Sequence, residues 1–356
     1  MTTRLDMVHL VDTIEVEPEH LAAYVELVET VGVPTMTDAG ASLVSSTTTA
    51  SDIGEAVLIQ VVWGFADHEA WNEIRKNLVL DPGWHDYARR AAALRRGGTR
   101  RFYYPTSVAP QRVTPSTDDS SAMMLRRFEI YSVAASASRE KVARLDEACR
   151  HCGRYIPDVL DSSVGRNLSD APAQMVWEHA FASPDAYRRY MVHPFHAAVL
   201  DRYLLADSPE RIVGDDVLAA GLVGYQCDSP RYRMAKGVRR LVLLQVERAA
   251  PGADVARLQA TLTAVPAEVD EMALSVVAEN TMGPAWFDGV TPIAGPPRWT
   301  HLWEQGFTSL DALEAYRRGG SVVAEAERRA WEGFHGGVVR RSAELYYELD
   351  GVQPWP

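Results

Sequence analysis

Residues 176–190 read VWEHAFASPDAYRRY, and residues 302–316 read LWEQGFTSLDALEAY. At a constant offset of 126 positions, Trp177 meets Trp303, Glu178 meets Glu304 and Phe181 meets Phe307. Ser183, Asp185 and Tyr190 likewise meet Ser309, Asp311 and Tyr316. A fainter copy, VVWGFADHEAW at 61–71, sets Phe65, Ala66, Glu69 and Ala70 under Phe181, Ala182, Asp185 and Ala186. Each copy reads as an apolar strand, a polar helix cap (Asp67, Ser183, Ser309) and the start of an amphipathic helix. One supersecondary segment met three times predicts three tandem copies of one unit.

The flanks complete the unit. An alternating apolar strand opens each copy, at Val8–Val16, Leu125–Val133 and Leu241–Val246. A helix with periodic apolar positions follows, at Pro18–Val31, Ser138–Tyr155 and Asp254–Val265. Two more strands come next, Ala41–Thr48 and Ala56–Phe65 in the first unit, Ser162–Leu168 and Gln174–Phe181 in the second. After the second helix, Arg101–Tyr104, Gly221–Gln226 and Ala343–Glu348 close the three units as strands. The order βαββαβ is the ferredoxin-like, split-βαβ arrangement. The predicted fold class is therefore α+β: three tandem ferredoxin-like units that pair sheet to sheet as α+β barrels. The unit boundaries are 1–109, 123–228 and 229–356, with a Pro/Ser/Thr-rich linker over 110–122 inside the aperiodic run 105–122. A glycine- and proline-bearing stretch, Met282–Pro297, reads as an inserted loop. Each unit leaves one apolar sheet face to be covered. Units 1 and 2 are expected to meet within the chain, and unit 3 to pair across a homodimer axis.

Composition narrows the function. With 47% hydrophobic and 24% charged residues, the 356-residue chain is neither disordered nor fibrous. No apolar run reaches the roughly 18 residues a membrane-spanning helix needs. A net charge of −12 disfavours nucleic acid and anionic membrane as partners. The runs Arg89-Arg90, Arg95-Arg96 and Arg100-Arg101 read as solvated helix ends. Three cysteines cannot all pair, and the chain opens in strand-like sequence without a leader; both point to the cytoplasm. Cys149 and Cys152 have C-x-x-C spacing but no second pair to complete a zinc site. Tryptophans such as Trp63, Trp71, Trp84 and Trp286 read as core aromatics. Neither a phosphate loop nor a Ser-His-Asp or acidic metal cluster is spaced for use, so no cofactor and no metal is expected.

The legible chemistry is Tyr190-Met-Val-His-Pro-Phe-His196. Pro194 ends one helix near His193 and suits the first turn of the next. From there His196, Val199, Leu200 and Tyr203 share the apolar face, with Tyr190 in the last turn before the break. Burial and the helix N-terminus both disfavour an imidazolium, and neutral imidazole is what a general base needs. A nearby phenol can donate to a carbonyl oxygen as charge develops on it. Tyr190 and His196 thus suit proton abstraction beside a carbonyl. Spacing alone also allows a hydrogen-bonded core pair. Glu178 and His179, adjacent on a strand, face opposite sides, and either can be the one that lines the site.

YMVHPFH, with the strand and helix before it and the run Ile156-Pro-Asp-Val leading to Gly165-Arg-Asn, resembles the stress-responsive dimeric α+β barrel family. Its polyketide-cyclising members carry Tyr-x-x-His-Pro-x-His, with the first Tyr and last His catalytic. The resemblance implies Tyr190 as hydrogen-bonding group and His196 as base. It sets His193, His179, Glu178, Trp177 and Phe195 as supporting or substrate-binding. It covers about 125–205; Tyr103-Tyr-Pro-Thr-Ser-Val-Ala-Pro is similar to the NIPSNAP-like branch. Family members often carry a first-strand histidine, where unit 1 has His9, unit 2 Arg126 or Arg127, and unit 3 Arg240. Gly319 and Val322 stand where His193 and His196 would fall in unit 3, while Asp81-Pro-Gly-Trp-His85 lacks the tyrosine. One site per chain is expected. The implied function is a cofactor-independent lyase or cyclase acting on a small, aromatic or polyketide-like substrate. The alternatives are a cofactor-free or haem-dependent monooxygenase, or a non-catalytic ligand-binding or scaffold protein.

Overall fold

The computed structural model describes residues 7–50, 54–105, 124–171, 174–214, 221–227, 236–264, 272–281, 299–318, 334 and 337–349. The linker read over 105–122 lies outside these beyond Pro105, as do Met282–Pro297, Trp286, Gly319 and Val322.

In unit 1, β1 (Val8–Val16) alternates between buried and half-buried side chains. The first helix region runs longer than its periodicity predicts: α1 (Leu21–Leu27), a wide π turn (Val28–Gly32) and α2 (Val33–Asp38). Pro34 cannot donate to the carbonyl four residues back, and the chain widens just before it. β2 (Ser42–Thr48), β3 (Val57–Phe65), α3 (His68–Leu80), α4 (Pro82–Leu94) and β4 (Arg95–Tyr103) complete the unit. Unit 2 holds β5 (Met124–Tyr131), α5 (Arg139–His151), β6 (Val159–Arg166), β7 (Met175–Phe181), α6 (Pro184–Val192), α7 (Asp201–Leu204) and β8 (Gly221–Cys227). Unit 3 holds β9 (Gly237–Val246), α8 (Gly252–Ala264), β10 (Met272–Glu279), β11 (His301–Phe307), a helix at Leu310–Arg317 and β12 (Val339–Leu349). The sheets are ordered β2-β3-β1-β4, β6-β7-β5-β8 and β10-β11-β9-β12, with every pair antiparallel. The chain is three tandem ferredoxin-like units.

Two expectations are corrected. Units 2 and 3, rather than 1 and 2, meet sheet to sheet. Phe128, Ile130 and Val176 of unit 2 pack with Leu241, Leu243, Leu302, Leu345 and Tyr347 of unit 3 in one core. Gly165 lies flat beneath Tyr347: a Cβ there would stand 2.2 Å from its ring. The reason is in the strands. β5 and β9 turn Phe128, Ile130, Leu241 and Leu243 into the barrel around the ion-paired Arg126 and Arg239, whereas the outer face of β1 presents His9, Val11, Thr13 and Glu15, all half-buried. The two more apolar faces take each other, and unit 1 joins through its helices and β4.

The basic runs are the second correction. Arg96, Arg100 and Arg101 lie on β4 rather than at a helix end, and Arg95, which caps α4, is the first residue of that strand. Arg95 donates to the carbonyls of Asp207 (3.0 Å) and Ser208 (2.7 Å) in unit 2. Buried Arg100 is bidentate on Asp12 (2.7 and 2.6 Å) and 2.8 Å from Asp207. Arg101 pairs with Glu210. Gly98, at φ +149°, lets Pro209 approach; a Cβ would lie 2.9 Å from that ring and 2.3 Å from the Thr13 carbonyl oxygen. Three arginines of unit 1 thus hold residues 207–210 of unit 2.

Inside the barrel, Arg126 and Arg239 face Glu178 and Glu304. Arg126 lies 2.9 Å from Glu304 and 3.4 Å from Glu178; Arg239 lies 2.7 Å from Glu304 and 3.2 Å from Glu178. Tyr347 donates to Glu178 at 2.5 Å. Because Glu178 and Glu304 are repeat equivalents, the ring has a pseudo-two-fold axis.

Candidate active site

On the other face of the unit 2 sheet, the helices cover Arg127, Trp177, His179 and Phe181. Ser183 caps α6 by accepting from the Ala186 amide (3.0 Å), which fixes the helix start. The helix stops at His193, whose ψ of 135° is extended. Pro194 starts the next segment, which widens to a π turn over His196–Leu200. That widening changes the predicted face: His196, Ala197, Leu200 and Tyr203 are buried, and Val199 turns outward. Ala197 packs into the core of unit 1.

Tyr190 and His196 are brought together, ring centroids 4.4 Å apart and edge to face. His179 lies 5.7 Å from Tyr190 and 3.8 Å from Trp177. Trp177 is itself held by donating to Ser162 (2.9 Å). Arg127, whose role sequence reasoning missed, donates to the Tyr190 hydroxyl at 3.2 Å and to Glu129 at 2.8 Å. Its guanidinium is caged by the rings of Trp177, Tyr187 and Tyr190, 5.5–5.8 Å away. Because the phenol oxygen accepts from Arg127, the phenol proton is left to donate elsewhere. Glu178 belongs to the opposite face and its ion ring, so the neighbour that lines the site is His179. Phe195 lies outside the cluster, stacked on Tyr155 at 4.3 Å. His193 holds its backbone turn, Nδ1 accepting from the Phe195 amide at 3.1 Å.

A second group comes from far along the chain. His196 Nδ1 stands 3.6 Å from Asp201, beyond hydrogen-bond reach. Asp201 is paired instead with Arg75 of α3, which Asn72 holds at 2.6 Å. Unit 1 therefore reaches the edge of the unit 2 cluster.

Burial dominates the titration. It holds His196 and His179 neutral, well below the ordinary histidine value, with Arg75 and Arg127 adding to the effect on His196 and Arg127 on His179. Burial pushes the Tyr190 phenol well up, against Arg127. Asp201 is raised to about 6 by burial, against the pull of Arg75. At the contact of units 1 and 2, burial lowers His193 and His68 to about 4 each; His68 also feels His193. These imidazoles are neutral in the fold and charge first in the unfolded chain. As pH falls from 6.5 toward 4, the unfolded state binds the extra protons, so stability is present above that window and lost through it. Thermal midpoints measured from pH 7 to 4 should fall, and His193→Gln should flatten the slope. An unchanged slope in both His193→Gln and His68→Gln would assign the loss to other groups.

Tyr190, His179 and Trp177 have no exposed surface and His196 has 2%. The site is closed in this conformation. The other units lack the full set. In unit 3, Arg240 lies over Trp303 and Tyr316 (5.5 and 5.9 Å), but Gln305 replaces His179 and accepts from Arg240 at 2.6 Å. In unit 1, register and repeat put Leu10, Trp63 and Ile74 in the places of Arg127, His179 and Tyr190, and all three are core residues. Among the described residues, no group of three or more His, Cys, Asp or Glu is placed to hold a metal ion. No helix among them is long and apolar enough to cross a membrane.

Residues 11–110 match the NIPSNAP family, and residues 125–215 match the Stress responsive A/B Barrel Domain. The two matched stretches fall in units 1 and 2. Similar solved structures include a NIPSNAP family protein from Agrobacterium tumefaciens, 23% identical, covering 32% of this chain and 96% of that one (TM-score 0.26). A NIPSNAP domain protein from Burkholderia xenovorans is 18% identical over 29% of this chain and 99% of that one (TM-score 0.26). A mutant chlorite dismutase from Candidatus Nitrospira defluvii is 12% identical over 64% and 92% (TM-score 0.40). No curated protein matches the chain.

Proposed function

We propose that unit 2 is a cofactor-independent lyase or cyclase that removes a proton next to a carbonyl on a small, aromatic or polyketide-like substrate. The observation that carries this is the Arg127–Tyr190–His196 arrangement. A phenol that already accepts from a guanidinium can donate its proton to a carbonyl oxygen, and both groups then stabilise the enolate. Neutral His196, against the same phenol, takes the proton. An imidazole held this low is a weak base; Asp201 is the carboxylate that would raise it on coming within hydrogen-bond reach. A histidine is also an axial haem ligand, so a cofactor-free or haem-dependent monooxygenase stands as the second reading. The test is deuterium exchange into the methyl group of acetophenone, followed by NMR in deuterated water. Wild-type protein should accelerate exchange and His196→Ala should not. Equal rates, or a Soret band in the purified protein, would move the reading to the oxidative class.

For partners, we propose that a second copy of the chain covers the outer sheet face of unit 1. The same face is buried in units 2 and 3, each against the other. In unit 1 it presents Val11 and Val62, half-buried, with Leu58 37% and Tyr103 56% exposed. Light scattering should give a dimer, and Val62→Lys a monomer. A monomeric wild type at micromolar concentration would refute it.

A further inference from the structure

Beside the closed site lies a surface groove of about 320 Å³, between α5 with its following turn and the π segment. Arg144, Arg154 and Arg202 line it against a single carboxylate, Glu147. In a chain of net charge −12, that is a local reversal of sign. The bridge from Arg144 to Glu140 is solvent-exposed, at 62% and 74%, and neutralises little. Arg202 is held more firmly. Its guanidinium lies 4.6 Å from the Tyr203 ring centre and donates to that hydroxyl at 2.7 Å. Its Nε is buried and finds no acceptor among the described residues. A buried guanidinium N–H without an acceptor is costly, and a ligand oxygen would satisfy it.

The aromatic floor adds shape. Tyr155 and Phe195 are stacked nearly parallel, 6° apart, and Tyr155 is 45% exposed. A ring laid on Tyr155 meets a flat apolar surface with cations at its edge. The groove is at the small end of ligand pockets, enough for one or two fused rings. Phe195 directly precedes His196, so the floor and the buried base share one short segment.

We infer that this groove binds a planar aromatic carboxylate, its ring on Tyr155 and its carboxylate on Arg202 and Arg154. That this ligand is the substrate of the Tyr190–His196 pair rests on the function proposed above; that it occupies the groove does not.

The probe is 2-naphthoate, with uncharged 2-naphthamide as its isostere, titrated into the full chain by calorimetry. Naphthoate should bind at least about tenfold more tightly than the amide, the worth of one charge-assisted contact. Arg202→Gln and Arg154→Gln should each weaken naphthoate by about fivefold or more and leave the amide unchanged. Should Arg202→Gln lower the thermal midpoint, Arg154→Gln carries the test. Tyr155→Ala should weaken both ligands alike. His196→Ala should bind naphthoate as wild type does, so that loss of proton-transfer chemistry and loss of the groove are told apart. Equal affinity for the two ligands, indifference of naphthoate to both arginine variants, or loss of binding in His196→Ala would each overturn the assignment.

Discussion

His196→Ala should lower turnover by on the order of 10²–10⁴, the range for removing a positioned base, while the chain still folds. Tyr190→Phe should cost about 10²–10³, because the phenylalanine ring keeps the packing but deletes the hydroxyl that accepts from Arg127 and offers its proton to the carbonyl oxygen. The control is inside the molecule. Tyr316 is the repeat equivalent of Tyr190 and lies under Arg240 as Tyr190 lies under Arg127, yet Gln305 stands where His179 does. Tyr316→Phe should therefore leave turnover almost unchanged. His193→Gln should retain activity, since its imidazole serves a backbone amide rather than the cluster. The single-site reading fails if Tyr316→Phe is as damaging as Tyr190→Phe. A dead His193 variant beside a live His196 variant would reverse the assignment of the base.

Much of this was written in the strand and cap pattern. Asp67, Ser183 and Ser309 each cap their helix as the repeat predicts, since capping is local chemistry. The break at Pro194 and the meeting of Tyr190 with His196 follow from a single proline. What strand sequence could not assign was side. β7 is buried along its whole length, so no alternation tells Glu178 from His179, and the same holds for Arg126 and Arg127. The repeat held a clue: the glutamate recurs as Glu304, whereas the histidine becomes Gln305, which separates an architectural position from a site position. The outer face of β1, with His9, Thr13 and Glu15, was a second clue, because it makes unit 1 the poorer partner for an apolar sheet. Arg75 and Asp201 left no trace. They lie 126 residues apart and meet only because unit 1 packs its helices on unit 2.

The barrel interior supports the other large effect. Glu178→Ala should destabilise the contact of units 2 and 3 by about 3–5 kcal/mol, because it removes one of the two carboxylates that face the buried Arg126 and Arg239. Both arginines are 0–1% exposed, so neither can turn outward for hydration. Burial by itself would raise the carboxyl of Glu178, but Arg239 and Arg126 outweigh it and hold the group below its ordinary value. Acid should then weaken the barrel progressively as pH falls from the ordinary carboxylate value toward the depressed one, where the loss is complete. A double-mutant cycle on Glu178→Ala and Arg239→Ala in urea should show the second change costing much less than the first, since it removes the stranded cation. Replacing all four charges together, with Met for the arginines and Leu for the glutamates, should be neutral or should stabilise by about 1–4 kcal/mol. If so, the ring's contribution is register rather than strength. Its four members come from both strand pairs about the pseudo-two-fold axis, and a slip of one residue would turn Arg126 and Glu178 toward the helices and Arg127 and His179 into the barrel. A Glu178→Ala variant with unchanged urea midpoint would show that the ring holds neither register nor stability.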